Sequence, residues 1–175
     1  MNKNYTYNIF DENVVVKLAE GLKSVVGNQP TVFLCVGSIK VTGDSVAPLV
    51  GTLLNANNFN GFVYGGVNCP ITAKQTDIYA ENVKKLHPNS KVVAIDSAVG
   101  DISEIGQIKL ISTPLTPGLA VRKDLKRLGD ISLMGVVASR SQDNCKALSQ
   151  TAFSLVSKMA DVISSAVTLA FGMAG

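Results

Sequence analysis

The sequence contains one histidine, His87, and three cysteines, Cys35, Cys69 and Cys145, and it has no tryptophan. No two cysteines stand in a C-x-x-C spacing, so the sequence predicts no zinc site. His87 lies in a Leu-His-Pro sequence that is typical of a helix end, which argues against a Ser-His-Asp triad. Free thiols without an N-terminal export signal favour a reducing, cytoplasmic environment.

The chain also lacks a strong charge and a long apolar run. The net charge is +3, from 16 basic and 13 acidic residues, and the basic residues are scattered, so we expect no nucleic-acid partner. The most apolar stretch, residues 162–175, has about 14 residues, whereas a membrane-spanning helix needs about 20. We therefore expect a buried core helix there and no membrane association. The sequence does not decide whether this helix forms a homo-oligomer interface, because the core of a monomer would use the same residues.

The 175 residues, of which 46% are hydrophobic, fit a single domain with a buried core. Helical periodicity after Asp11, which we expect to be an N-cap, predicts the first helix. The elements that we expect next are a strand over 31–36, a helix over about 44–54, a strand over 61–64, a helix capped by Thr72 and ending at Leu86, strands over 91–96, 106–112 and 131–138, and a long helix over about 144–171. Their alternation predicts an α/β fold with three α/β/α layers and a mainly parallel, mixed sheet with one reversed edge strand.

Two aspartates follow predicted strands that we expect to be neighbours. Asp44 comes after the loop that leaves strand 31–36, and Asp96 ends strand 91–96. Ligands of open α/β sheets bind at the carboxyl ends of the strands. Two carboxylates about 4 Å apart repel by about 4 kcal/mol at an effective dielectric near 20, or about three pKa units, so such a pair would hold one proton near neutral pH. The alternatives are that Asp44 is the N-cap of its helix and that Asp96 forms an Asx turn.

The loop between the first strand and Asp44 is rich in glycine but does not match a phosphate-binding loop. Five residues separate Gly37 from Gly43, and Asp44 stands where a Walker loop has lysine. A phosphate would meet a carboxylate there, so we expect no nucleotide. Ser38 and Thr42 in this loop, and Ser97 after the second aspartate, are placed to hydrogen-bond to the carboxylates or to a peptide.

Three ordered blocks of the sequence carry a family resemblance: CVGSIKVTGDSVAPLVG (35–51), AIDSAVG (94–100), and PLTPGLAVRK (114–123) with LGDISLMGVV (128–137). They resemble the YyaC-type sporulation proteins, which are small relatives of the germination protease and, more distantly, of the hydrogenase-maturation endopeptidases. The resemblance implies a phosphorylase/hydrolase-like α/β/α fold and an endopeptidase that degrades small acid-soluble spore proteins, without a cofactor. Asp44 and Asp96 match the two aspartates proposed as catalytic in the germination protease.

The resemblance also has departures. In the maturation endopeptidases the matching acidic positions help to bind nickel together with a later histidine, which this chain lacks after His87, so no metal site is carried over. Ala47 stands where the family pattern has glycine, Ala98 where it has a variable residue, and Lys126 where it has proline.

The first hypothesis is therefore an aspartate-dependent endopeptidase whose loops 38–43 and 113–118 hold an extended substrate, partly by strand addition to a sheet edge. The residues expected to bind the substrate are Gly37, Ser38, Thr42, Gly43, Ser97, Pro117 and Gly118. The second hypothesis is a peptide-binding or regulatory protein without catalysis, which the departure at Ala47, the short chain and the lack of an activation segment favour. The third is metal-assisted hydrolysis.

Overall fold

A six-stranded mixed sheet forms the centre of the protein, for which a computed structural model describes residues 3–116 and 127–172. Its strands are β1 (Asn4–Asn8), β2 (Thr31–Cys35), β3 (Phe62–Tyr64), β4 (Lys91–Gly100), β5 (Gln107–Ile111) and β6 (Ile131–Ser139). Their order is β1-β5-β6-β4-β2-β3. Neighbours from β6 to β3 pair in parallel, whereas β5 is antiparallel to both β6 and β1. The predicted mainly parallel, mixed sheet is confirmed.

Helices cover both faces of the sheet. They are α1 (Val14–Val26), α2 (Val46–Ala56), α3 (Thr76–Leu86), α4 (Asn144–Ser149) and α5 (Phe153–Phe171), with short 3-10 turns at Thr42–Ser45 and Ile102–Glu104. Phe33 and Ile95 pack into the core cluster that contains apolar residues of α1, α2 and α5, while Leu34 and Ala94 belong to the cluster on the α3 side. The central strands are thus buried on both faces, which gives the predicted three-layer α/β/α fold.

The reversed strand, β5, was predicted at the edge of the sheet but lies inside it. Residues 4–8, which we did not assign to an element, form β1 and pair with β5 from Asn4↔Ile111 to Asn8↔Gln107, so that β5 is an inner strand. The alternation of tyrosine with asparagine and threonine in β1 carries little hydrophobic signal, although its pairing completes the sheet. Tertiary pairing, rather than local pattern, determines this strand.

The helix predicted over 144–171 is two helices, α4 and α5. At the end of α4 the hydroxyl groups of Ser149 and Thr151 donate to the carbonyl oxygens of Cys145 and Ala147, and Ala152 has an extended backbone (φ −65°, ψ 129°). Such hydroxyl groups compete for the carbonyls that continue a helix. Helix α4 therefore ends here, and helix α5 begins at Phe153.

Two predicted helix starts also moved. Asn13, with φ 61°, occupies the N-cap position of α1 in place of Asp11, whose carbonyl oxygen accepts the Val14 amide. Asparagine tolerates this left-handed conformation better than most residues. Helix α3 begins at Thr76, because Thr72 forms a local turn in which its amide donates to the Gln75 side chain.

Helix α5 is the described helix whose length and composition would allow it to cross a membrane. Its apolar residues Val156, Ile163 and Val167 are buried in the same cluster as Leu18 and Leu22 of α1. The core helix of a globular domain has the same composition. The predicted buried helix over 162–175 corresponds to the second half of α5, and residues 173–175 lie outside the described part.

Candidate active site

The chain after β2 folds back on itself and so brings Asp44 to the carboxyl end of the sheet. The Gly37 amide donates to the Ile71 carbonyl oxygen, and the Ser38 amide donates to the Asp44 carbonyl oxygen (3.1 Å). A Cβ atom on residue 37 would collide with this same Asp44 carbonyl oxygen. Gly37 is therefore required for the close approach of the two ends of the loop.

The turn Thr42–Ser45, called the Asp44 turn below, packs against the end of α4. Gly43 is buried, and a Cβ atom there would lie 2.8 Å from both the Leu148 carbonyl oxygen and the Thr151 Oγ1 atom. Gly37 is buried as well. Both glycines are predicted substrate-binding residues; their burial shows that they also shape the loop, and their part in binding stays a prediction.

Asp96 lies within β4 and does not end it. The strand continues to Gly100 because β6 runs beside it as far as Ser139. Pairing with β2, in contrast, stops at Cys35↔Ile95, so Asp96 is the first residue of β4 beyond the neighbouring strand. Its side chain is nearly buried, with 9% of the residue exposed.

Ser97 connects the two aspartates. Its amide donates to Asp96 Oδ1 (2.8 Å), and its hydroxyl donates to Asp44 Oδ1 (3.3 Å). The two carboxyl groups thus meet around one residue at the carboxyl edge of the sheet. Val41 and Ser45 hold the N-cap positions of the Asp44 turn and of α2, so Asp44 is not the N-cap of its helix.

Burial raises the pKa of both carboxyl groups. The pKa of Asp44 rises from 3.8 to about 6 because of burial, although the Ser97 hydroxyl and the Ser38 amide lower it. The pKa of Asp96 rises well above its usual value because of burial and, secondly, because of the negative charge of Asp44. At pH 7 Asp44 is therefore mainly ionised, whereas burial and the charge of Asp44 favour the protonated form of Asp96.

The donor set does not fit a metal ion such as nickel. Within residues 3–116 and 127–172, no three histidine, cysteine, aspartate or glutamate side chains are grouped so as to hold a metal. His87 follows α3 at its C-cap position, and its Nε2 atom is hydrogen-bonded to the Tyr64 hydroxyl (2.8 Å).

The other predicted substrate-binding residues divide into two groups. Ser38, Thr42 and Ser97 are partly exposed around the aspartates. Pro117 and Gly118 lie outside the described residues. Leu148 and Thr151, which pack against the Asp44 turn, could not be predicted, because no local pattern indicates a contact between segments so far apart in the chain.

Two cavities lie near the ends of the sheet, and neither is lined by Asp44 or Asp96. One, of about 690 Å³, lies between the end of β6 and α4 and includes Thr151, which also contacts the Asp44 turn. The other, of about 480 Å³, is at the opposite end of the sheet and is lined by His87 and Lys91. The paired aspartates thus do not line either of these two cavities.

The family described as "Protein of unknown function (DUF1256)" matches residues 5–166 of the chain. The chain belongs to this family. The uncharacterized protein YyaC of Bacillus subtilis (strain 168) is 33% identical to it over 153 residues, which are 87% of this chain and 74% of YyaC. The resemblance to the YyaC-type family is therefore confirmed.

Among solved structures, the fold is similar to that of HycI, a [NiFe] hydrogenase maturation protease from Thermococcus kodakarensis KOD1. The TM-score is 0.55 at 16% sequence identity, and the match covers 85% of this chain and 99% of HycI. At this identity the similarity establishes the shared α/β fold.

Proposed function

We propose that this protein is an endopeptidase in which Asp44 and Asp96 act as a general base and a general acid. The observation that carries the proposal is the pair of carboxyl groups joined through Ser97 at the carboxyl edge of the sheet. Groups whose pKa is shifted by burial and by a neighbouring like charge are concentrated at catalytic sites.

The environment of each carboxyl group suggests its role. Asp44, which is partly exposed and ionised at pH 7, takes a proton from the water that attacks the peptide carbonyl carbon. Asp96, whose raised pKa favours the protonated form, donates its proton to the leaving amine as the C–N bond breaks. The proton gained by Asp44 then returns to Asp96, so that the pair ends each turnover with one proton.

The resemblance to the germination protease suggests the substrate. We propose small acid-soluble spore proteins, degraded in the cytoplasm of the forespore or spore. The protease fold of HycI supports peptide hydrolysis as the reaction class. The relative YyaC is itself uncharacterized, so the choice of substrate rests on the resemblance to the germination protease.

The test is incubation of a purified small acid-soluble spore protein with the wild type and with the variants Asp44→Asn, Asp96→Asn and Asp161→Asn. Asp161 is an exposed aspartate of α5 and serves as the matched control. We expect defined fragments by mass spectrometry from the wild type and the control, and rates lower by about 10²-fold or more in the other two variants. Cleavage that persists undiminished in Asp44→Asn would remove Asp44 from the mechanism.

The same experiment separates the two other hypotheses. Tight binding of the spore protein without any cleavage by the wild type would favour a peptide-binding protein without catalysis. Activity that is lost on treatment with a chelator and restored by a divalent metal would favour metal-assisted hydrolysis.

A further inference from the structure

The second half of β4 has a neighbouring strand on one side only. Pairing with β2 ends at Cys35↔Ile95, whereas pairing with β6 continues to Gly100↔Ser139. Residues 97–99, called the open edge below, are partly exposed. Within residues 3–116 and 127–172, no backbone hydrogen bond from any segment other than β6 reaches them.

The direction of each backbone group in β4 follows from its hydrogen bonds. The Lys91 amide donates to the Pro30 carbonyl oxygen, and the Ile95 carbonyl oxygen accepts the Val36 amide, both at 2.8 Å. In a parallel strand the two backbone groups of one residue point to the same side, and successive residues alternate. Odd-numbered residues of β4 therefore point toward the side of β2.

Even-numbered residues point the other way. The Val92 carbonyl oxygen accepts the Asp130 amide (2.8 Å), and the Gly100 carbonyl oxygen accepts the Arg140 amide (2.7 Å), both on the side of β6. The pairing register with β6 shifts between Ala98 and Val99, but Gly100, beyond this shift, still points to β6, so the alternation within β4 is kept. The groups that face the open edge are the carbonyl oxygen of Ser97 and the amide and carbonyl oxygen of Val99.

The open edge begins at the paired aspartates. The Ser97 amide also points to the open side, and it is taken up by Asp96 Oδ1. The Asp96 carboxyl group therefore lies on the side of β4 that β2 leaves open. The Asp44 carboxyl group reaches the same residue through the Ser97 hydroxyl.

From this placement we infer that an extended segment of the polypeptide substrate docks on the open edge as an added strand, hydrogen-bonded to Ser97 and Val99, with its scissile peptide at Asp96. The inference rests on the proposed function and names where its substrate binds. Strand addition uses backbone groups for affinity and is compatible with many sequences. It also holds the scissile peptide in one register relative to the two carboxyl groups.

The test is residue-resolved amide hydrogen exchange measured by NMR on the Asp44→Asn variant, alone and with 15-residue peptides that tile the small acid-soluble spore protein. Alone, the Val99 amide should exchange freely, whereas the amides of Ala98 and Gly100, which point to β6, should be protected. At a peptide concentration about ten times Kd, about one molecule in eleven is free, so exchange at Val99 should slow about elevenfold. The amides of Ala98 and Gly100 serve as internal controls.

Two results would overturn the inference: a Val99 amide that is already protected in the free protein, or peptide binding that leaves its exchange unchanged. Wild-type cleavage is measured in parallel, so that the two proposals fail separately. Cleavage without protection of Val99 contradicts docking on the open edge and leaves the catalytic pair standing. Protection of Val99 without wild-type cleavage contradicts the catalytic pair and leaves the docking edge standing.

Discussion

Replacing Asp44 by asparagine should make the stability of the protein less dependent on pH. The pKa of Asp44 in the folded protein is about 6, above its usual 3.8, so the folded state binds this proton more tightly than the unfolded state does. The resulting stabilisation is fully present below about pH 4 and is lost as the pH rises through about 6. The difference between 3.8 and about 6 corresponds to about 3 kcal/mol, or about 1–2 kcal/mol after allowance for partial exposure.

The assay is urea unfolding of the wild type, Asp44→Asn and the Asp161→Asn control at pH 4 and pH 8. We expect the free energy of unfolding of the wild type and the control to fall between these values by about 1–2 kcal/mol more than that of Asp44→Asn. The asparagine amide alters the hydrogen bond from Ser97 equally at both pH values. This effect therefore cancels when the pH-dependent fall in the free energy of unfolding is compared between the wild type and Asp44→Asn. Removal of the Asp44 charge also lowers the pKa of Asp96, which acts in the same direction. Equal changes in all three proteins would refute the burial of Asp44 as a titrating group.

Three further predictions concern single residues. Ser97→Ala removes the hydroxyl that lowers the pKa of Asp44, so the acidic limb of the pH–rate profile for cleavage should move to higher pH; an unmoved limb would contradict the hydrogen bond. Gly37→Ala should lower the free energy of unfolding by about 1–3 kcal/mol in urea titrations, whereas Gly66→Ala, whose nearest atom is 3.3 Å from the added Cβ, should have a smaller effect. In native thiol labelling by mass spectrometry the two exposed cysteines should react, but Cys35, whose pKa burial raises to about 12, should react only on unfolding.

The central strands could be predicted from sequence because they carry apolar residues on both faces. Phe33 and Leu34, side by side in β2, are both completely buried, and a run of this kind has few other interpretations. Strand β1 and the break at Gln150 could not be predicted in this way. The strand depends on pairing with the distant β5, and the break depends on hydrogen bonds of the Ser149 and Thr151 hydroxyl groups that hydrophobic periodicity does not reveal.

The two aspartates of the candidate site could also be predicted, but their surroundings could not. The short strands before Asp44 and Asp96 indicated the carboxyl edge of the sheet, and both residues are there. The prediction that β4 ends at Asp96 was wrong, because the small residues after it do not reveal that β6 continues alongside. The open edge could therefore not be predicted, because it exists only where β2 has ended and β4 continues beside β6.

The setting of the two aspartates is difficult to explain by a structural role. A buried carboxylate that serves the fold is normally paired with a cation or bonded to several amides. The ion pairs formed among the described residues, Lys85–Glu81 and Lys109–Glu104, do not involve Asp44 or Asp96. Each aspartate instead raises the free energy of the folded state at neutral pH, and apolar or amide side chains would avoid this effect. Destabilising groups held in place by the surrounding fold are typical of sites selected for chemistry, which favours catalysis over peptide binding alone.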